Sequence, residues 1–395
     1  MRTDLPEALL ATDAGGRADE ILRSCVHCGF CNATCPTYQL LGDELDGPRG
    51  RIYLIKDMLE TGTADAVVQT HLDRCLTCRA CETTCPSGVR YGELLEIGRD
   101  HLASLGRRRA AERFVRAWLL RVVPHRRRLR RWLRLGRAFR WLLPSGLAGR
   151  IPPLPRRRPV SEVAADRRVV VLDGCVQSVS TPGVNEALSR LLGARGIRVE
   201  TAPGEGCCGA LALHLGESAR AQAAMQANAR ALADAADGAE AILSTASGCG
   251  VTVKDYGRLL PEDPAAERVA GLTLDAAEFL HGLDTTWSRA GEHRRVAWQA
   301  PCTLQRGQRA AGRVEDLLRR AGYELVPVAE PHLCCGSAGT YSMLQPALSG
   351  QLKRRKLDHL EAAAPDVIAT ANVGCQLHLA TESRVPVVHW LELLK

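Results

Sequence analysis

Long apolar segments and a dinucleotide-binding fingerprint are both missing from this sequence. No run of 18 or more apolar residues occurs, which argues against a transmembrane helix. The first residues show no basic region followed by an apolar stretch, so we expect no signal peptide and a cytoplasmic location. No G-x-G-x-x-G motif follows a predicted strand, and no catalytic acid or base stands out. We therefore expect no catalytic residue and no nucleotide cofactor on this chain.

Cysteine, in contrast, is abundant, with 16 among 395 residues. The chain is long enough for two or three domains, each with its own core. Because cytosolic thiols are kept reduced, metal ligation is favoured over a disulfide framework for this many cysteines. The spacing of the cysteines then indicates which metal they bind.

Eight of the cysteines form two runs with the spacing C-x₂-C-x₂-C-x₃-C-P. In bacterial ferredoxins the first three thiolates of such a run hold three irons of one cubane, and the fourth ligates the other cluster. The spacing therefore predicts two [4Fe–4S] clusters with crossed ligands. The predicted ligands of the first cluster are Cys25, Cys28, Cys31 and Cys85, and those of the second are Cys75, Cys78, Cys81 and Cys35.

Zinc is the first alternative for these runs, because it also accepts four thiolates in paired CxxC units. Zinc sites usually take two ligands from each knuckle, so a third cysteine two residues further on would have no role there. A second alternative is that the clusters only hold the fold together. Two interleaved clusters are held close to each other, which favours an electron relay instead.

The chain between the two cysteine runs is predicted to be helical. Pro48 suits the first turn of a helix, apolar residues then recur at helical spacing, and Gly62 ends it. A second helix is predicted at residues 66–72. This layout is typical of an α-helical ferredoxin domain, which we assign to residues 1–104.

Residues 107–158 form a strongly basic segment with 18 arginines, no lysine and one acid, Glu112. We expect residues 105–160 to be a helical linker that lies on an anionic membrane surface or binds a partner. The alternative is a linker packed on its own protein, with solvated or paired arginines. Nucleic-acid binding is not expected, since no nucleic-acid-binding fold accompanies the segment. The apolar residues at helical spacing are Phe114, Trp118, Val122, Leu135, Phe139 and Leu142, with breaks at Pro124 and Pro144.

The other eight cysteines reveal an internal duplication. Four cysteines recur at offsets of 127, 127, 127 and 126 residues: Cys175, Cys207, Cys208 and Cys249, then Cys302, Cys334, Cys335 and Cys375. In each copy, predicted strands alternate with helices, which indicates α/β units on a mostly parallel sheet. The predicted strands are 169–172, 198–201 and 241–244, then 296–299, 324–328 and 367–369. We assign the repeats to residues 161–290 and 291–395.

Each copy contains a Cys-Cys-Gly element and resembles the cysteine-rich "CCG" domain. Such domains occur in heterodisulfide reductase and in iron–sulfur subunits of glycolate, lactate and glycerol-3-phosphate dehydrogenases. The family pattern commonly ends in CxxC, whereas Thr252 and His378 stand at those last positions here. The resemblance implies a further iron–sulfur cluster in the repeats, although not the special five-cysteine type. The alternative is that the two repeats pair into one scaffold whose thiols bind nothing or one further metal. His378 is either a metal ligand or an ordinary surface or core histidine.

The segments 25–51 and 71–91, including the residues between the cysteines, resemble the iron–sulfur subunits of bacterial glycolate oxidases. The resemblance implies FAD-containing partner subunits that oxidise glycolate to glyoxylate. Electrons would pass through this chain to quinone or another non-oxygen acceptor at the cytoplasmic face of the inner membrane. His27 and Arg79, inside the ligand loops, would raise the cluster potentials unless they only face solvent. The alternatives are a D-lactate or glycerol-3-phosphate dehydrogenase subunit, or a heterodisulfide-reductase-like enzyme acting at the CCG cysteines.

Overall fold

The computed structural model describes residues 1–106, 108–142, 149, 151–152, 154–155 and 165–395. A helical N-terminal region is followed by two arginine-rich helices and then by two α/β units with parallel sheets. This architecture confirms the predicted combination of a helical ferredoxin-type region with two CCG repeats.

The N-terminal region contains the two helices predicted between the cysteine runs. Pro48 occupies the first turn of the longer one, and Gly62 ends it in a left-handed conformation with φ of 66°. The side chain of Asp65 caps the next helix by accepting hydrogen bonds from the backbone of Val67 and Val68. The helices of this region are Glu7–Leu10, Asp13–Ser24, Phe30–Ala33, Pro36–Leu41, the 3₁₀ turn Glu44–Asp46, Pro48–Thr61, Ala66–Asp73, Ala80–Thr84 and Tyr91–Ser104.

The arginine-rich segment forms two helices, Ala110–Val122 and Arg126–Ala138, followed by the 3₁₀ turn Arg140–Leu142. The first helix ends just before Pro124, which lacks a backbone N–H and breaks helices. The predicted break at Pro144 and five of the 18 arginines lie outside the described residues. Within the described part of the chain, no helix is both long and apolar enough to cross a bilayer.

The first α/β unit is a four-stranded parallel sheet with the order β2-β1-β3-β4. Its strands are β1 (Arg167–Val171), β2 (Ile197–Thr201), β3 (Ile242–Ser244) and β4 (Thr273–Asp275). Parallel strands require long crossovers, which helices provide here. The helices are Gln177–Ser180, Gly183–Gly193, Ala210–His214, Ser218–Ala235, Ser247–Lys254, Tyr256–Leu259, Pro264–Leu272 and Ala276–His281.

The second α/β unit repeats this topology with the order β6-β5-β7-β8. Its strands are β5 (Arg295–Gln299), β6 (Glu324–Val326), β7 (Val367–Thr370) and β8 (Val387–His389). The sequence pattern did not predict β4 and β8, because neither leads to a cysteine, whereas every predicted strand does. The helices are the π turn Thr303–Gly307, Arg313–Arg320, Tyr341–Leu344, Pro346–Glu361, Val373–Leu379 and the 3₁₀ turn Trp390–Leu393.

Alternation along the strands divides the hydrophobic core between the two faces of each sheet. Val169 and Val171 of β1 share one core with Val296 and Trp298 of β5. Val170, on the opposite face, packs with buried residues of helix Ser218–Ala235. The two repeats are therefore joined through a common apolar core.

Candidate metal centres

The four predicted ligands of the first cluster, together with Cys81, line one solvent-open cavity of about 420 Å³: Cys25, Cys28, Cys31 and Cys85. Two residues between them, His27 and Gly29, have left-handed φ angles of 56° and 83°. These turns curl the loop, so that the three closely spaced thiols face the same space. A left-handed conformation is unfavourable for a residue with a Cβ, and such strain is common at functional sites.

The second cavity, of about 300 Å³, is lined by Cys75, Cys78, Cys81 and Cys35. The loop between these cysteines has the same left-handed turns, with φ angles of 53° at Thr77 and 56° at Arg79. Cys81 borders both cavities, which are therefore direct neighbours. The structure thus brings Cys85 to the first group and Cys35 to the second, as the crossed-ligand hypothesis requires.

The donor set of each cavity suits a [4Fe–4S] cluster, which takes four cysteine thiolates. Burial, together with the neighbouring Cys25, raises the pKa of Cys31 to about 11. Burial and Cys78 likewise raise the pKa of Cys81 well above its usual value. Thiolates are therefore costly in these cavities without a cation, and iron would supply the compensating charge.

Arg51 is a buried cation behind the second cavity and is only 1% exposed. Its Nε donates to the carbonyl of His71 at 2.7 Å, and one Nη donates to Thr37 Oγ1 at 3.1 Å. The other Nη lies 3.9 Å from Cys35 Sγ. Asp46, fully buried, is 3.3 Å from Arg51 and 2.8 Å from Arg74. Two arginines against one carboxylate leave positive charge beside the thiols.

The two residues expected to tune the clusters differ in charge. Burial, the N-terminal ammonium and Arg49 lower the pKa of His27, so its ring is neutral at pH 7 and adds no positive charge. Arg79 contacts Glu82 at 3.3 Å and Asp255, in the first repeat, at 3.7 Å. Its charge is therefore largely offset by two carboxylates.

The four cysteines of the first repeat come together at the carboxyl ends of β1, β2 and β3, where open α/β sheets place ligand sites. The Sγ atoms of Cys175 and Cys207 are 3.8 Å apart. Cys208 contacts both Cys207 and Cys249 through its thiol. Hydrogen bonds from Cys175 and Cys208 lower the pKa of Cys207 and raise their own.

The second repeat gathers its four cysteines in the same way, after β5, β6 and β7. The Sγ atoms of Cys335 and Cys375 are 3.2 Å apart. Cys334 contacts both Cys302 and Cys335 through its thiol. Each CCG repeat therefore presents four converging thiols, which is a complete donor set for one cluster.

The two residues that replace the last family cysteines make polar contacts of their own. Thr252 Oγ1 donates to the carbonyl of Gly248 at 3.2 Å. His378 Nε2 lies 3.1 Å from Ser349 Oγ.

The second repeat packs directly against the second ferredoxin cavity. Cys78 joins an apolar cluster with Leu333 and Cys334. Burial and the adjacent Cys334 raise the pKa of Cys78. Arg306 bridges the two regions by donating to the carbonyls of Cys78 at 3.4 Å and His332 at 2.6 Å.

The two CCG cysteine groups are also linked across the interface between the repeats. Asn372 Nδ2 lies 3.7 Å from Cys375 Sγ, and its Oδ1 accepts from the backbone of Gly248, next to Cys249, at 3.4 Å. Ser247 and Thr303, which follows Cys302, have their hydroxyl oxygens 2.8 Å apart. Short polar contacts therefore connect one group to the other.

Sequence reasoning missed Lys356, a fully buried lysine behind the second repeat's cysteines. Its Nζ donates to the carbonyls of Glu330 at 3.1 Å and Pro331 at 3.2 Å. Burial lowers its pKa, while Cys335 and its neighbours act in the opposite direction. The position 127 residues earlier is Ala229, so comparing the repeats would have singled out this lysine.

Family models of known proteins match three segments of the chain. Residues 169–254 and 296–380 each match the family model described as a cysteine-rich domain. Residues 21–89 match the 4Fe-4S dicluster domain. These matches cover both halves of the predicted layout.

Two of the similar proteins match this chain over nearly its whole length, and a third matches about half of it. It is 46% identical over 401 residues to the glycolate oxidase iron-sulfur subunit of Escherichia coli (strain K12), covering 100% of this chain and 98% of that protein. It is 31% identical over 424 residues to the probable glycolate oxidase iron-sulfur subunit of Bacillus subtilis (strain 168), covering 94% and 93%. Lactate utilization protein A of Shouchella clausii (strain KSM-K16) is 28% identical over 211 residues, which is 52% of this chain. The chain therefore belongs to the family of glycolate oxidase iron–sulfur subunits.

Proposed function

We propose that this chain is the electron-transfer subunit of a glycolate dehydrogenase complex. FAD-containing partner subunits oxidise glycolate to glyoxylate, and this chain relays the electrons to quinone or another non-oxygen acceptor. The observation that carries the proposal is the pair of neighbouring cavities, which are lined by the eight thiols of the two cysteine runs and share Cys81. The ligands that we assign are Cys25, Cys28, Cys31 and Cys85 for one cluster, and Cys75, Cys78, Cys81 and Cys35 for the other.

The role of the protein in this relay is positioning and electrostatics. When bound, each [4Fe–4S] cluster takes up and releases one electron at a time. The crossed cysteine runs hold the two cluster sites close together, and Cys28 is exposed at the outer one. Arg51 places positive charge at the inner site, which favours the reduced state there.

We further propose that the CCG repeats bind additional iron–sulfur clusters. The converging thiols of each repeat support this, as does their location. The second repeat's group adjoins Cys78, and Asn372 links it to the first repeat's group. The cysteine groups thus form a series through the molecule, in keeping with a path from an exposed first site to a distant exit. The assigned ligands are Cys175, Cys207, Cys208 and Cys249, and Cys302, Cys334, Cys335 and Cys375.

The domain boundaries and location belong to the same proposal. We assign residues 1–104 to the ferredoxin-type domain, 105–160 to the basic linker, and 161–290 and 291–395 to the repeats. We place the protein peripherally on the cytoplasmic face of the inner membrane, where a quinone acceptor is accessible.

Paramagnetic resonance on the anaerobically purified complex tests the function directly. Adding glycolate should produce reduced-cluster signals, with weaker signals from D-lactate or glycerol 3-phosphate. Stronger signals with D-lactate or glycerol 3-phosphate would assign the chain to a sister dehydrogenase. Reduction of a disulfide substrate by the chain without any flavoprotein would instead favour a heterodisulfide-reductase-like enzyme.

Replacing Cys28 or Cys78 by serine is predicted to abolish glycolate-dependent dye reduction through this chain. Each substitution removes one assigned thiolate from a different cluster, while the flavin subunits still bind substrate. Val26→Ala is the matched control, because Val26 is 68% exposed in the same loop and offers no ligand. Unchanged dye reduction in either cysteine variant would contradict the relay assignment.

A further inference from the structure

The two arginine-rich helices and the turn after them, residues 110–142, present an exposed apolar strip. We call this segment the basic hairpin. Helix Arg126–Ala138 has no buried residue, and Trp132 and Leu135 on it are each 50% exposed. The strip consists of Phe114, Trp118, Trp132, Leu135, Phe139, Trp141 and Leu142, which are between 37% and 78% exposed.

The apolar residues of the two helices form one continuous surface. Phe114 and Trp118 are four positions apart and lie on the same side of the first helix. Trp132, Leu135 and Phe139 follow helical spacing on the second. The rings of Trp118 and Trp132 meet edge to face with their centroids 5.5 Å apart, which joins the two rows.

The opposite side of the basic hairpin is fastened to the protein. Leu120 is buried in the core of the first repeat. Arg116 contacts Asp73 at 2.9 Å, and Arg126 lies 3.1 Å from both Asp173 and Glu205. The exposed strip is thus held in a defined orientation.

The charge around the strip is almost entirely positive. Residues 108–142 contain 13 arginines and a single acid, Glu112. Only Arg108, Arg116 and Arg126 of these arginines pair with carboxylates within the described part of the chain. Arg127, Arg130 and Arg134, which are exposed, remain available to external anions.

We propose that the basic hairpin binds the surface of an anionic phospholipid bilayer. The aromatic and leucine side chains enter the interfacial region, and the arginines contact lipid phosphates. The complementarity is specific: a continuous apolar strip suits acyl chains, and a border of one charge sign suits anionic headgroups. This inference rests on the peripheral location proposed above and names the surface responsible. A protein partner is the competing occupant.

Co-sedimentation of the purified full-length protein with vesicles tests the proposal without any electron transfer. One set contains phosphatidylcholine alone, and the other adds phosphatidylglycerol. Binding is expected only to the anionic set and should weaken as salt is raised. Absence of binding to the anionic vesicles, or equal binding to both sets, would overturn the proposal.

Two variants separate the apolar and charged contributions. The triple variant W132S/F139S/W141S should weaken binding about tenfold or more, because it removes the side chains that enter the interface. R130E/R134E should weaken it through charge repulsion. Met343→Ser is the matched control, since Met343 is 58% exposed and belongs to helix Tyr341–Leu344 of the second repeat, not to the basic hairpin. Unchanged melting temperature and cluster absorbance verify that the variants fold.

The same variants distinguish lipid from protein as the occupant. If the triple variant binds vesicles like the unchanged protein but no longer co-purifies with the flavin subunits, the strip is a protein interface and the proposal is wrong. If it loses vesicle binding yet still reduces its clusters with glycolate in the complex, the lipid surface and the relay function are both supported. If the unchanged protein binds anionic vesicles but glycolate does not reduce its clusters, the proposed relay function is contradicted and the lipid-binding proposal still stands.

Discussion

At the scale of single residues, Arg51 best illustrates how a buried charge can serve a redox site. Burial by itself disfavours a cation, yet the nearby Cys75, Tyr91 and Cys35 raise the pKa of Arg51. Asp46 offsets part of its charge but is shared with Arg74. A buried ion pair of this kind contributes little net stability, so its value here is electrostatic.

Replacing Arg51 by glutamine is predicted to lower the reduction potential of the cluster assigned to Cys75, Cys78, Cys81 and Cys35. Loss of a positive charge a few ångströms away disfavours electron uptake, by on the order of a hundred millivolts at an effective dielectric of about 20. A redox titration followed by paramagnetic resonance measures the shift.

Arg51→Lys is the control for charge, because it keeps the cation while losing the planar contacts. Its potential should lie closer to that of the unchanged protein. An equal shift of both N-terminal clusters in Arg51→Gln would indicate general damage and contradict a local electrostatic role.

At the scale of elements, the Cys-Cys-Gly turn explains why glycine follows the paired cysteines. Gly209 and Gly336 both have φ of +86° and pack on the long helix of their repeat. A Cβ at Gly336 would lie 2.7 Å from the carbonyl oxygen of Ser349. The N–H of Gly336 also points at Cys334 Sγ, 3.5 Å away. Glycine therefore allows the turn to approach the helix and to present the thiols.

Gly336→Ala is predicted to destabilise the second repeat and to lower the bound iron. The left-handed φ alone costs about 1–2 kcal/mol, and the backbone clash adds to it. Gly339→Ala is the matched control: its φ is +63°, but no atom lies within 4 Å of the added Cβ. Melting temperature and iron content should fall more for Gly336→Ala than for Gly339→Ala. Equal effects would mean that close packing on the helix is unimportant.

At the scale of the whole molecule, a buried histidine joins the two repeats. His389 Nε2 lies 2.8 Å from the carbonyl oxygen of Thr245, and its Nδ1 accepts from the backbone of Leu391 at 3.3 Å. The carbonyl requires a proton on Nε2 and the N–H requires a free Nδ1, so the ring is neutral. Burial lowers its pKa to about 3.

This depressed pKa predicts acid sensitivity. The unfolded chain takes up a proton at His389 below about pH 6.5, whereas the folded protein does so only near pH 3. Its contribution to stability is therefore complete above pH 6.5 and declines as the pH falls, by about 1.4 kcal/mol for each pH unit. Melting temperatures between pH 7.5 and pH 5 measure the decline.

His389→Gln should melt lower at pH 7.5, because it disturbs the contacts with Thr245 and Leu391, but its melting temperature should depend less on pH. Acid loss of the clusters is common to both proteins and cancels in the comparison. Burial raises the pKa of Asp275 to about 6, so this group stabilises the folded protein as the pH falls, opposite to His389. Because Asp275 is present in both proteins, its contribution also cancels in the comparison. Parallel pH profiles would show that His389 does not control the acid response.

The sequence by itself determined the features that depend on short segments. Cluster-type ligand spacing, helix ends such as Gly62 and the duplicated Cys-Cys-Gly element all lie within a few residues of one another. Their chemistry and backbone requirements depend only on neighbouring residues, so they can be predicted from the local sequence pattern. The crossed assignment of Cys85 and Cys35 is likewise a prediction from spacing, because proline after each fourth cysteine is typical of ferredoxin runs.

Only the tertiary structure decided how these parts meet. Arg306 reaches Cys78 across 228 positions of sequence, and His389 reaches Thr245 across 144. Contacts over such separations arise from packing of whole units and leave no periodic or spacing signal in the chain. The series of cysteine groups, the burial of Arg51 and Lys356, and the outward-facing strip of the basic hairpin were decided at that level.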